Sequence, residues 1–105
     1  MMRHVSLFRL KPEHRSEAVA AKLADQLRAM PAAIPAITAC EIGVKPAAIP
    51  AQSPDGHVQF YDLIQIITFA TPEDCMAYPG EKAHLDFVAE SSQYMEQVVG
   101  IDYPV

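Results

Sequence analysis

The chain has 105 residues, 50% hydrophobic and 20% charged, a balance that fits one globular domain over residues 1–105 and leaves no room for a second. Thirteen acidic against eight basic residues give a formal net charge of −5 with the cations scattered, which excludes nucleic acid and anionic membranes as partners, since both need a concentrated positive field. Arg3 and Arg9 interrupt the opening before an apolar run of signal-peptide length builds up, and no later run approaches membrane-spanning length, so the expected compartment is the cytoplasm.

The run Arg3 to Leu10 alternates its faces, with His4, Ser6, Phe8 and Leu10 on one side and Val5 and Leu7 on the other, and predicts a strand. Lys11-Pro12 ends it. Ser16 then caps a predicted helix whose apolar stripe is Val19, Leu23, Leu27 and Met30, closed by Pro31. A second strand is expected over Ile37 to Val44. The Pro-, Ala- and Gly-rich stretch from Lys45 to His57 is longer than a tight hairpin needs and is expected to be a mobile flap.

Phe60 to Phe69 is β-branched and aromatic almost throughout, which marks a central strand. Thr71-Pro72-Glu73-Asp74 combines an N-cap, a proline at the first helical position and acids at the positive helix end, so a short helix starts there. Tyr78-Pro79-Gly80 interrupts it. A further helical segment is expected from about Glu81 to Gln97, with His84, Phe87, Val88, Ser91 and Met95 turned inward, and a last strand from Val98 to Tyr103. Cys40 and Cys75 form no CxxC pair and are expected to be small apolar core residues in a reducing compartment.

The order strand, helix, strand, strand, helix pair, strand defines an α+β chain of ferredoxin-like topology. Its four-stranded antiparallel sheet carries helices on one face only. The other face, with Val5, Leu7, Ile64 and Ile66, has no helix to cover it. At about 25 cal/mol per Å² of apolar surface, its exposure would waste several kcal/mol, so a homodimer that closes sheet on sheet is expected.

The opening Arg3-His4-Val5-Ser6-Leu7-Phe8-Arg9-Leu10-Lys11-Pro12, then Ile34-Pro35-Ala36-Ile37, Thr68-Phe69, Tyr78 with His84, and the closing Ile101-Asp102-Tyr103 together resemble the stress-responsive A/B-barrel (Dabb) family. The resemblance covers nearly the whole chain, most poorly between Lys45 and His57. It implies a dimeric α/β barrel. The family includes plant stress proteins, many bacterial proteins of unassigned role, and a plant polyketide cyclase that makes olivetolic acid. In that cyclase a Tyr and a His six positions apart do acid-base work beside a His near the start of the first strand, and Tyr78, His84 and His4 match those positions. Two departures stand out. Glu81-Lys82 replaces the His-Pro that usually precedes the second His, with Pro79-Gly80 next to Tyr78, and Ala24 and Leu27 stand where the cyclase has pocket aromatics, so the substrate is not carried over.

The residues themselves permit this chemistry. A partly desolvated His84 beside Phe87, Val88 and Ser91 stays neutral, the form a general base needs. Tyr78 can offer a phenolic proton to a carbonyl oxygen as an enolate forms, and His4 can orient substrate or relay a proton. Ser6, Phe8, Leu23, Leu27, Leu63, Gln65, Phe87 and Val88 are the expected substrate-contacting wall. Gln65, polar in an apolar strand, either holds a substrate oxygen or bonds within the fold.

Glu81 and His84 make an i, i+3 pair of the kind used in metal sites, but no second pair accompanies it, so no metal and no other cofactor is expected. The leading functional expectation is a small cofactor-independent acid/base enzyme acting on a carbonyl-containing molecule, with polyketide-like cyclisation as the kind of reaction. The alternatives are a non-catalytic stress or assembly dimer with a filled core, and a cofactor-free oxygenase.

Overall fold

A computed structural model describes residues 1–105. Strand β1 (Met2–Leu10) is followed by helix α1 (Glu17–Arg28), a four-residue helix α2 (Met30–Ala33), and strands β2 (Ile37–Val44) and β3 (Leu63–Phe69). Helix α3 (Pro72–Ala77), a 3-10 turn over Tyr78–Gly80, helix α4 (Lys82–Ser91) and strand β4 (Met95–Pro104) complete the chain. The strands form one antiparallel sheet in the order β2-β3-β1-β4, the ferredoxin-like arrangement.

Ser16 caps α1 by accepting the Val19 amide, and Ala20, Leu23, Ala24 and Leu27 recur at helical spacing to bury one stripe against the sheet. Pro31 does not close that helix. Its nitrogen has no hydrogen to give to the Leu27 carbonyl, so α1 stops at Arg28 and Pro31 starts a second helix, in whose first turn an amide hydrogen is not needed. Met30 belongs to this second helix, and Val19 is only half-buried.

Phe8 and Leu10 of β1 and Leu63, Ile67 and Phe69 of β3 meet α1 and α3 in a continuous core with Ile34, Ile37 and Tyr78. The helices cover that face alone. Val5, Leu7, Ile64, Ile66 and Val99 stand on the opposite face only partly buried, and Ile101 beside them is 62% exposed.

The central strand starts at Leu63, three residues later than the β-rich sequence predicts. Asp62 is the reason. Its amide donates to the Phe8 carbonyl, which already faces Leu63, and its carboxylate accepts from the Leu10 amide and from Arg15, so Asp62 leaves the β1 register while its own carbonyl still accepts from the Lys45 amide. The connection from Lys45 is folded as well. An isolated bridge pairs Gln52 with Gln59, Gly56 turns the tip at φ 75°, and the buried Arg9 guanidinium donates to the Ala51 and Phe60 carbonyls at 2.9 and 2.6 Å.

Helix α4 ends at Ser91 instead of reaching Gln97, and Met95, expected on the helix, pairs with Leu10 in a longer β4. The Lys11 amide bonds the Tyr94 carbonyl and a register shift opposite Arg9 and Leu10 brings Glu96 to Arg9 at 2.7 Å, contacts that draw this segment into the sheet. Cys75 is buried as expected. Cys40, on the edge strand β2, is exposed instead, and the two thiols are unpaired.

Candidate active site

Alternation along β1 and β3 brings Ser6, Phe8 and Gln65 to the helix-covered face, and Ser6 and Gln65 are cross-strand partners. Tyr78 reaches the same place from the other side. Thr71 caps α3 by accepting the Asp74 amide at 3.1 Å, and the 3-10 turn that follows points the Tyr78 ring inward, 2% exposed. The Gln65 amide nitrogen donates to the phenolic oxygen at 3.2 Å, which leaves the phenolic hydrogen free to be donated elsewhere. Burial pushes the Tyr78 phenol above its ordinary value, opposed by this hydrogen bond, so the group is a protonated donor at neutral pH.

His84 lies in the first turn of α4 with its ring centroid 4.6 Å from that of Tyr78. Its Nδ1 is 3.0 Å from the Pro79 carbonyl oxygen. A carbonyl only accepts, so Nδ1 carries the hydrogen and Nε2 presents its lone pair. Pro79-Gly80, the departure from the family pattern, thus supplies the carbonyl that sets the His84 tautomer.

These groups border a cavity of about 470 Å³, within the range that holds a small organic molecule. Ser6, Phe8, Leu27, Gln65, Tyr78, His84, Phe87 and Val88 line it, together with Ser91, Ser92, Met95, Glu96, Gln97 and Val98, which sequence reasoning did not single out as site residues. Leu23 and Leu63 do not line it. They are 0% and 2% exposed, closed over by neighbouring core side chains, and form the floor of the hydrophobic core instead. His4 stands one layer back: its ring is 5.4 Å from Tyr78, its Nε2 is 2.8 Å from Ser6 Oγ, and its Nδ1 is 2.5 Å from Asp102 Oδ1. His4 therefore meets the cavity through Ser6.

A larger depression of about 580 Å³ lies between α1 and the end of β2, where Arg15 is engaged with Asp62 and the Leu10 carbonyl, Lys45 with the Pro46 and Ile49 carbonyls, and Arg28 with Asp25. It holds no group poised for acid-base work. The Lys45 to His57 segment contributes no residue to the Tyr78 and His84 cavity; its Lys45 and Ile49 lie in a depression with Leu7 and Ile64. No three His, Cys, Asp or Glu side chains gather so as to hold a metal ion, and no helix is long and apolar enough to cross a membrane.

The fold and cavity define a ferredoxin-like α+β protein with a cavity under its helices. The profile of the Stress Responsive A/B Barrel Domain matches residues 2–105, and the chain belongs to that family. Solved structures with the same fold include a dimeric protein of unknown function from Bacteroides fragilis, 20% identical at a TM-score of 0.78 over 99% of this chain and 95% of that one. A Dabb family protein from Mesorhizobium loti is 24% identical at 0.71, over 99% and 95% of the two chains. A hydroxynitrile lyase from Passiflora edulis is 19% identical at 0.74, over 99% and 92%. A search of curated protein sequences finds no match.

Proposed function

We propose that the protein is a small cofactor-independent acid/base enzyme acting on a carbonyl-containing small molecule, with cyclisation of a polyketide-like substrate as the kind of reaction it serves. The observation that carries this reading is the pairing of a bare His84 Nε2 with the free phenolic hydrogen of Tyr78 at one cavity of mixed polar and apolar wall. His84 Nε2 removes a proton from the carbon next to the carbonyl. As the electrons move onto the carbonyl oxygen, Tyr78 donates a hydrogen bond to it, and Gln65 fixes the phenol's orientation. The enolate carbon then attacks a second carbonyl of the same molecule, and His84 returns its proton to the new alkoxide. His4 assists from behind Ser6.

The non-catalytic assembly reading needs a filled core where this cavity lies. A homodimer is part of the proposal, supported by the uncovered apolar sheet face and by relatives described as dimeric. The cytoplasm is the compartment that suits its two free thiols.

Hydrogen-deuterium exchange at the carbon between the carbonyls of small β-diketones, followed by NMR in heavy water, tests the chemistry without knowledge of the natural substrate. The protein should accelerate exchange, and His84→Ala and Tyr78→Phe should each lower the acceleration by about 10² or more while the fold persists. Absence of acceleration, or acceleration indifferent to both substitutions, would sink the proposal.

A further inference from the structure

We propose that Ser6 is a covalent nucleophile, activated by His4 and oriented through Asp102, and that the cavity accepts the acyl group of small apolar carboxylic esters. His4 and Ser6 are two residues apart on β1, so both side chains rise from the same face of the sheet, and Asp102 is the cross-strand partner of His4 on β4. A carboxylate has no hydrogen to give, so the contact between Asp102 Oδ1 and His4 Nδ1 at 2.5 Å places the hydrogen on Nδ1. The neutral ring then turns its lone pair at Nε2 toward Ser6 Oγ, 2.8 Å away, and the hydroxyl donates to it. Nucleophile to base and base to carboxylate are the two contacts that activate a serine, and geometry identifies such a group on any fold.

The neighbours of Ser6 fit the role. Opposite it on β4 is Gly100, where a Cβ would press on the Val5 carbonyl at 2.9 Å and lie 3.5 Å from Ser6 Oγ, so the close strand pairing requires glycine and leaves that flank of the pair clear. Opposite it on β3 is Gln65, whose amide nitrogen spends one hydrogen on Tyr78 and keeps a second. That hydrogen and the free Tyr78 hydroxyl border the same cavity and are the donors for a carbonyl oxygen that becomes negative. Phe8, Leu27, Phe87, Val88 and Val98 give the wall an apolar side that suits the alkyl part of an acyl group, facing a polar side of Ser91, Ser92, Glu96 and Gln97.

The step is balanced within these groups. Ser6 Oγ bonds to the ester carbon as its proton passes to His4 Nε2, and the carbonyl electron pair moves onto oxygen. Collapse breaks the bond to the alcohol, which leaves with the proton from His4. Water repeats the sequence and releases the acid.

This reaction shares a cavity with the acid/base chemistry above but not its base, so each can fail without the other: covalent capture reads Ser6, and exchange at carbon reads His84. The full-length protein is treated with a short-chain alkyl fluorophosphonate, in which the phosphorus-fluorine bond breaks as Ser6 Oγ bonds to phosphorus. Intact mass should show one adduct per chain and peptide mapping should place it on Ser6. Ser6→Ala, shown folded by circular dichroism, should take no label, and His4→Ala should slow labelling by about 10² or more. Asp102→Asn should slow it also and reverse the His4 ring hydrogen, which nitrogen-15 shifts of the imidazole report; a merely structural carboxylate would leave those shifts in place. No adduct on the wild-type protein, an adduct mapped to another residue, or labelling that survives Ser6→Ala would overturn the proposal.

Discussion

Gln65 is the residue on which the Tyr78 phenol depends, because its amide is the only donor to that buried oxygen and works against the burial that raises the phenol's pKa. Gln65→Leu should push the phenol further up, remove about 1 kcal/mol of stability, and slow Tyr78-dependent exchange; phenolate absorbance and denaturant titration read the first two effects. Folding also makes the phenol harder to ionise, so the native state holds this proton more tightly than the unfolded chain. The resulting stability is fully present below the ordinary value of 10.0 and is lost as pH rises past it. Tyr78→Phe should therefore lose less stability than the wild type on going from neutral to strongly alkaline solution, and equal losses would contradict a buried, proton-retaining Tyr78. Strand alternation made Ser6, Phe8 and Gln65 legible, since each side of a pleat is set by parity. Leu23 and Leu63 obey the same periodicities, yet periodicity reports only the side of an element, not its depth under neighbouring side chains. Asp102 as the partner of His4 depends on the pairing of the first and last strands, which no local pattern encodes.

At the scale of elements, the order and type of every major element was readable, whereas boundaries failed wherever a contact distant in sequence decided them. Asp62 shortens β3 through bonds to Phe8 and Leu10, and Arg9 draws Glu96 into β4; both effects need a partner more than fifty residues away. The composition of the Lys45 to His57 segment predicts a flap, and composition cannot reveal that Arg9 ties Ala51 to Phe60. Hydrogen exchange should accordingly be fastest at Asp55, where the tip is exposed, and slower for the Ser53 and Phe60 amides, which bond the Val58 and Ala51 carbonyls. Strong protection at the tip would count against a mobile segment. Cap chemistry, by contrast, is local and was read correctly at Thr71. Thr71→Ala should cost about 1 kcal/mol and loosen the helix that delivers Tyr78, an effect that thermal unfolding and exchange kinetics would both register.

Across the whole molecule, the helices and the cavity occupy one face of the sheet and leave Val5, Leu7, Ile64, Ile66, Val99 and Ile101 on the other without cover. The proposed twofold partner would remove this surface from water, a gain of about 25 cal/mol per Å² set against the freedom lost on association. A charge placed in the middle of such an interface finds no counterion and must be desolvated. Ile64→Glu should therefore convert the dimer to monomer or insoluble protein, read as halving of the mass by sedimentation equilibrium. Gly43 sits beside Ile64 on β2, where a Cβ would come within 2.9 Å of the Ile64 side chain, so even Gly43→Ala must displace that residue and should weaken the dimer without adding charge. A monomeric wild-type protein at micromolar concentration would refute the sheet-on-sheet arrangement. The cavity lies on the helix side, so a folded Ile64→Glu monomer should still accelerate carbon exchange at least in part. Complete loss of exchange from a monomer with intact helices would mean that the partner completes the site.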